Sequence, residues 1–159
     1  MSSAASSIDV GPISAEETWP LRKRVLRPHQ EGDAVVLGGD DDPRAAHLGA
    51  RDAGGTIVGI ATISPQACPW APGRSGAWRL RGMATADEQR GRGVGALVLD
   101  AAVRHAREHG ATLVWCNARA GALVFYGRAG FVAAGERYVD PLLGPHVPMQ
   151  LDLEGDRSG

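Results

Sequence analysis

The chain has 159 residues, of which 43% are apolar and 22% charged, a balance that suits one globular domain and excludes a disordered tail. A formal net charge of −1 and only 5% aromatic residues argue against general nucleic-acid binding, an electrostatic membrane anchor, or a stacking platform for single strands. Sixteen of the 17 basic residues are arginines, so chemistry that needs a lysine has only Lys23 to draw on, and no lysine closes a phosphate-binding glycine loop.

Residues 1–7, and those from about 154 onward, read as frayed ends around a single domain of about 8–153. The Ser/Ala-rich start lacks the charged and apolar regions of a secretory signal. A short strand is expected at 8–10. Ser14 reads as an N-cap with Glu16 and Glu17 in the first turn, opening a helix that runs to about Leu26, with Pro20 marking a break or a second start. Pro28 and the Gly/Asp-rich residues 31–43 form a long connection. A strand at 47–51, a tight turn at Asp52-Ala53-Gly54-Gly55 and a β-branched strand at 56–64 predict a hairpin. The charge-free run 54–73 contains Pro65, Pro69 and Pro72, which makes it a poor membrane-spanning helix.

After a Pro/Gly loop a strand is expected at 77–85. Val94, Leu97, Val98 and Ala101 lie at helical spacing in a helix over 94–109, which Gly110 stops. A short apolar strand at 112–116, a helix at 120–129, and strands at 131–139 and 146–153 complete the order. Strands dominate the first part and a β-α-β-α-β-β order closes the chain, which predicts an α/β fold, a mixed sheet carrying helices. Cys68 and Cys116 show no CxxC spacing, so neither a zinc site nor a disulfide framework is expected, and a reducing, cytoplasmic location is the natural expectation.

Arg90-Gly91-Arg92-Gly93-Val94-Gly95-Ala96 lies between a strand and the longest helix. Alternating glycines let the backbone approach a ligand, the first-turn N–H groups of the helix are unpaired, and its dipole is positive there. The two arginines add charge, so the segment suits a phosphate or pyrophosphate. A dinucleotide fingerprint fits less well: four polar residues separate the glycines from the strand, and the next strand ends at Asn117 without the acidic residue that would hold a ribose. His105 and His109 spell the HxxEH pattern of some zinc proteases, but the helix end favours cationic residues for its dipole, and no metal is expected.

The segment 90–95 resembles the R/Q-x-x-G-x-G/A acyl-CoA loop of the GNAT superfamily of N-acetyltransferases. Trp78 to Thr85 looks like the strand preceding that loop, Phe125-Tyr126-Gly127-Arg128-Ala129-Gly130-Phe131 like the family's FYxxxGF segment, and Gly135-Glu136 and Gly144 to Met149 like closing segments of a bacterial subgroup. The resemblance is dense over 77–153 and weaker over 8–64. It implies a mixed, mostly antiparallel sheet flanked by helices, with strands four and five splayed to hold an acyl-CoA. By the same resemblance, Met83, Ala84 and Thr85 pair with the pantetheine arm, Arg90, Gly91, Arg92, Gly93, Val94, Gly95 and Ala96 bind the pyrophosphate, and Asn117 touches the pantetheine.

The activity that this resemblance implies is that of an N-acetyltransferase, moving an acetyl group from acetyl-CoA to a primary amine, small-molecule or peptidyl, by direct attack in a ternary complex. The alternative is a non-catalytic acyl-CoA-binding regulatory module. A homodimer stays open. Tyr126 matches the family's general acid, and a phenol with an ordinary pKa near 10 is protonated at neutral pH. The base is not evident: His146, Glu136, His29 and Cys116 are candidates. Arg79 and Arg81 share a side of their strand under strict alternation, unless a bulge intervenes. Arg81, Glu136 and His146 are the candidate acceptor contacts, and arginines there would suit a carboxylate-bearing substrate.

Overall fold

The computed structural model describes residues 7–28 and 36–154. Ser14 caps the first helix as expected. Its hydroxyl accepts from the Glu17 backbone N–H at 3.1 Å, and the Glu17 carboxylate accepts from the Ser14 N–H at 2.8 Å. The preceding strand β1 (Asp9–Ile13) is longer than expected and contains Pro12, which an edge strand tolerates. Helix α1 (Ala15–Leu21) passes into a π-helical turn, Arg22–Leu26, closed by the Arg27 N–H on the Arg22 carbonyl at 2.9 Å. Pro20 has no N–H to give the preceding turn, so the α-helical ladder is already weakened where the wider turn begins.

Strands β2 (Ala46–Arg51), β3 (Ile57–Pro65) and β4 (Ala77–Thr85) continue an antiparallel meander from β1. The turn between β2 and β3 is held by Asp52, whose carboxylate accepts from Gly54 at 2.9 Å and Thr56 at 3.0 Å. Helix α2 (Val94–Glu108), strand β5 (Leu113–Arg119), helix α3 (Leu123–Arg128), strands β6 (Val132–Ala133) and β7 (Tyr138–Asp140), and strand β8 (Gly144–Asp152) follow. The eight-stranded sheet has the order β1-β2-β3-β4-β5-β8-β6, with β7 also on β8. Among the described residues every pairing is antiparallel except β4 with β5.

Helix α2 lies on one face of the sheet. Its Val94, Val98, Leu99 and Ala102 belong to the main core, which also holds Ala50, Val58, Ile60 and Leu80. Gly59 permits the approach: a Cβ there would stand 2.7 Å from Val94 Cγ1. Helix α1 contacts β3, and the π-helical turn contacts β4. A second apolar cluster joins Cys68, Ala77, Leu113 and Trp115, with Trp70 meeting Trp115 edge-on at 5.4 Å.

Three further elements depart from expectation. The strand expected at 131–139 is split into β6 and β7. The Ala134 N–H bonds the Pro148 carbonyl at 2.8 Å, so Pro148 turns toward this edge, where it has no N–H to return, and the ladder lapses. Strand β5 runs past Cys116 to Arg119, paired with β8 throughout. The helix expected at 120–129 begins as a 3-10 turn, Ala120–Ala122. The Glu154 carboxylate meets Arg74 at 3.1 Å, while residues 1–6 and 155–159 lie outside the described residues. Among the described residues no helix is long and apolar enough to cross a membrane.

Candidate active site

The site begins where two strands part. Strands β4 and β5 pair only at Ala77↔Leu113, Trp78↔Val114 and Arg79↔Trp115. Beyond that point β4 continues to Thr85 and β5 to Arg119 without pairing each other. A bulge accentuates the parting. Ile60 pairs with Ala84 and Thr62 with Arg81, so Gly82 and Met83 together face Ala61, and Gly82 takes φ +65°. The bulge follows Arg81, so Arg79 and Arg81 keep the common side that alternation predicts. Both line the cleft of about 1490 Å³ that fills the opening.

Met83, Ala84 and Thr85 line this cleft from β4, Asn117 from β5 and Tyr126 from α3. From the glycine segment Arg90, Gly91, Gly93, Val94, Gly95 and Ala96 reach it, whereas Arg92 is exposed and lies outside its lining. Gly91 and Gly93 adopt φ of +80° and +82°, and nothing lies within 4 Å of a Cβ built on either. Gly93 is the N-cap of α2 and makes no side-chain cap bond, so the first-turn N–H groups receive no side-chain acceptor from it. Gly95 has a different role: a Cβ there would stand 3.2 Å from both Phe125 and the Thr85 hydroxyl, so it lets α2 close on α3. Arg90 is paired with Asp87 at 3.2 Å, an exposed contact of little strength.

Tyr126 is 7% exposed and meets Phe125 and Phe131 edge-on at 5.1 and 5.5 Å. Among the described residues its hydroxyl has no hydrogen-bond partner. Burial, with Cys116 nearby, pushes the phenol well above its ordinary range, so it stays protonated. Burial likewise pushes the Cys116 thiol up to about 12, which makes it a poor base near neutrality. His146 lines the cleft, stacks on Tyr138 at 5.7 Å and places Nδ1 2.7 Å from the Gly144 carbonyl. A carbonyl only accepts, so Nδ1 carries the proton and a neutral His146 keeps its Nε2 lone pair. Glu136 is exposed and outside the lining, and His29 lies outside the described residues.

The histidine pair at the end of α2 is structural. The His105 and His109 rings stack at 4.1 Å, and both lie against Trp78, at 5.9 and 6.4 Å. Among the described residues no group of three or more His, Cys, Asp or Glu side chains is placed to hold a metal.

A splayed β4/β5 pair with a glycine-opened helix at its mouth is the architecture expected from the motifs. The family model described as Acetyltransferase (GNAT) family matches residues 14–131. The chain belongs to the GNAT acetyltransferase family. An uncharacterized N-acetyltransferase of Bacillus subtilis (strain 168), YitI, is 36% identical over 150 residues, covering 94% of this chain and 99% of its own. An acyl-CoA N-acyltransferase from Pseudomonas aeruginosa is 26% identical, with a TM-score of 0.68 over 91% of this chain and 99% of that one. An aminoglycoside 6'-N-acetyltransferase solved with coenzyme A is 11% identical, with a TM-score of 0.72 over 91% of this chain and 97% of that one, and it shares the fold.

This GNAT chain is therefore an acyltransferase of a family that uses acetyl-CoA or another acyl-CoA. Its residues fit such a donor. The open, positive-φ glycines and the uncapped α2 N-terminus suit a pyrophosphate. Past Arg79, β4 has an edge that β5 leaves unpaired, facing the cleft, and an extended arm fits such an edge. Arg27 and Asp140 line the cleft too, as do Arg119 and Tyr138, which sequence reasoning did not single out. For Arg119 a signal existed, since it lies two residues beyond Asn117 on the same strand face.

Proposed function

We propose that this GNAT acyltransferase transfers the acetyl group of acetyl-CoA to a primary amine held in the same cleft, by direct attack in a ternary complex. Met83, Ala84 and Thr85 present backbone groups to the pantetheine arm, the segment 90–96 holds the pyrophosphate, and Asn117 lies beside the arm. Bound acetyl-CoA supplies a thioester carbonyl carbon for the amine to attack and a thiolate to depart.

The observation that carries the reading is Tyr126, a protonated, unpartnered hydroxyl on the cleft wall. The amine nitrogen forms the new C–N bond and the C–S bond breaks. Tyr126 gives its proton to the departing sulfur and recovers one from solvent afterward. A backbone N–H near Met83 or Ala84 stabilises the charge that builds on the carbonyl oxygen. His146 Nε2 takes the proton that the amine loses, with Nδ1–H anchored on Gly144.

Tyr126→Phe is the test. Loss of a general acid lowers kcat by about a hundredfold or more, with the KM for acetyl-CoA little changed. Because burial raises the Tyr126 pKa, the wild-type rate should show no loss below about pH 10 from deprotonation of this group. Release of coenzyme A, followed from pH 6 to 10, checks both; an unaltered kcat in the Phe variant removes Tyr126 from the acid role.

A further inference from the structure

We infer that the acceptor is an amine bearing an oxyanion, a carboxylate or a phosphate, and that Arg27, Arg79, Arg81 and Arg119 hold that anion. The inference rests on the reading of the cleft as an acetyl-transfer site and names the class of acceptor. All four guanidinium side chains are partly buried and line the cleft. Among the described residues none of them is paired with a carboxylate, although the other buried or half-buried arginines, Arg22, Arg51 and Arg74, all are.

Their contacts leave donors to spare. Arg27 and Arg119 both bond the Leu26 carbonyl, at 3.3 and 2.8 Å, and Arg81 bonds the Gly38 carbonyl at 3.1 Å. Arg79 lies 4.9 Å over the Trp115 ring, and its buried Nε has no partner. The cations also feel one another. Burial, then Arg119 and Arg81, lowers the pKa of Arg27, while burial, then Arg79, lowers that of Arg81 to about 10. Two acidic neighbours face the cluster: Asp40, already bound by Arg22, acts on Arg81, and Asp140 faces Arg27 and His146 with its carboxylate accepting from the Leu142 and Leu143 N–H groups. They leave a surplus of positive charge in a partly desolvated cavity, which an entering anion relieves, and a guanidinium fork matches two oxygens of a carboxylate or phosphate.

The donor's phosphates do not account for this cluster. Trp78 rests against His105 and His109 of α2, so Arg79 and Arg81 project from the opposite face of the sheet, the side of the π-helical turn. The glycine cradle opens α2 instead, past Thr85, which is about 20 Å farther along β4 than Arg79.

The test is calorimetric titration of matched amines into the full-length protein saturated with coenzyme A, which separates binding from chemistry. One pair is 4-aminobutyrate and its amide; the other is phosphoethanolamine and ethanolamine. The expected result is at least about tenfold tighter binding of the anionic member in one pair or both, the pair identifying carboxylate or phosphate as the source. Arg81→Gln and, as a second variant at a separate element, Arg119→Gln should each reduce that preference, with Arg81→Lys recovering part of it. Equal or tighter binding of the neutral members, no binding by either member of both pairs, or full preference in both Gln variants overturns the inference. Incubation with acetyl-CoA and mass spectrometry then separates the two readings. Acetylated neutral amines without an anionic preference leave the transferase reading standing alone, and an anionic preference without any acetylated product does the reverse.

Discussion

Arg22 is 1% exposed, and its guanidinium binds both carboxylate oxygens of Asp40, at 2.6 and 3.0 Å, and the Thr62 hydroxyl at 2.8 Å. His47 joins through the same hydroxyl at 2.8 Å. The network pins the π-helical turn and the Leu37–Asp40 segment against β3, on the side of the sheet that carries Arg79 and Arg81. Removing the Asp40 charge leaves a buried cation, so Asp40→Asn should destabilise the fold by about 3 kcal/mol or more, measured by urea unfolding. Burial alone would raise the Asp40 pKa, but the Arg22 contacts and the Leu37 N–H outweigh it, and the folded value lies below 3.8. A depressed carboxyl contributes stability above its unfolded pKa that is lost as pH falls through the folded one. Wild-type stability should therefore drop below about pH 4 by an increment that Asp40→Asn lacks.

Among the elements, α2 was the most legible, because an apolar stripe at helical spacing, a glycine segment before it and Gly110 after it agree with one another. The β2–β3 hairpin was equally plain from Asp52 and its glycines. What the sequence concealed depends on a partner in space. The gap between β6 and β7 comes from Pro148, far along the chain, and the arginine cluster comes from a turn and two strands that only the fold brings together. The tyrosine and most of the glycine loop line the cleft and were legible because each lies in a local motif, and Asn117 lines it too, found from its place at the end of a strand. Glycine at 59 has a purely geometric role, since a Cβ there meets the stiff Val94 side chain at 2.7 Å. Gly59→Ala should cost about 1–3 kcal/mol in chemical denaturation and loosen the N-terminal turn of α2. An unchanged denaturation midpoint would show that α2 docks less tightly than this contact requires.

At the scale of the whole molecule, a net charge of −1 hides an uneven placement of charge: among the described residues, the half-buried arginines without a carboxylate partner, Arg27, Arg79, Arg81 and Arg119, all line the cleft. The parting of β4 from β5 makes that cleft reach both faces of the sheet, and the proposed reading uses both, with the donor on the α2 side, the acceptor on the side of the π-helical turn and Tyr126 between them. The most direct measurement is the melting temperature with and without acetyl-CoA, with NAD and ATP as controls. A ligand at a hundred times its Kd adds about 2.7 kcal/mol, which for a chain of this size is about 5–10 °C. A rise of that size with acetyl-CoA, and none comparable with NAD or ATP, is the expected result. No rise with acetyl-CoA, or a larger one with NAD, would contradict the assignment of the splayed strands and the glycine loop to an acyl-CoA donor.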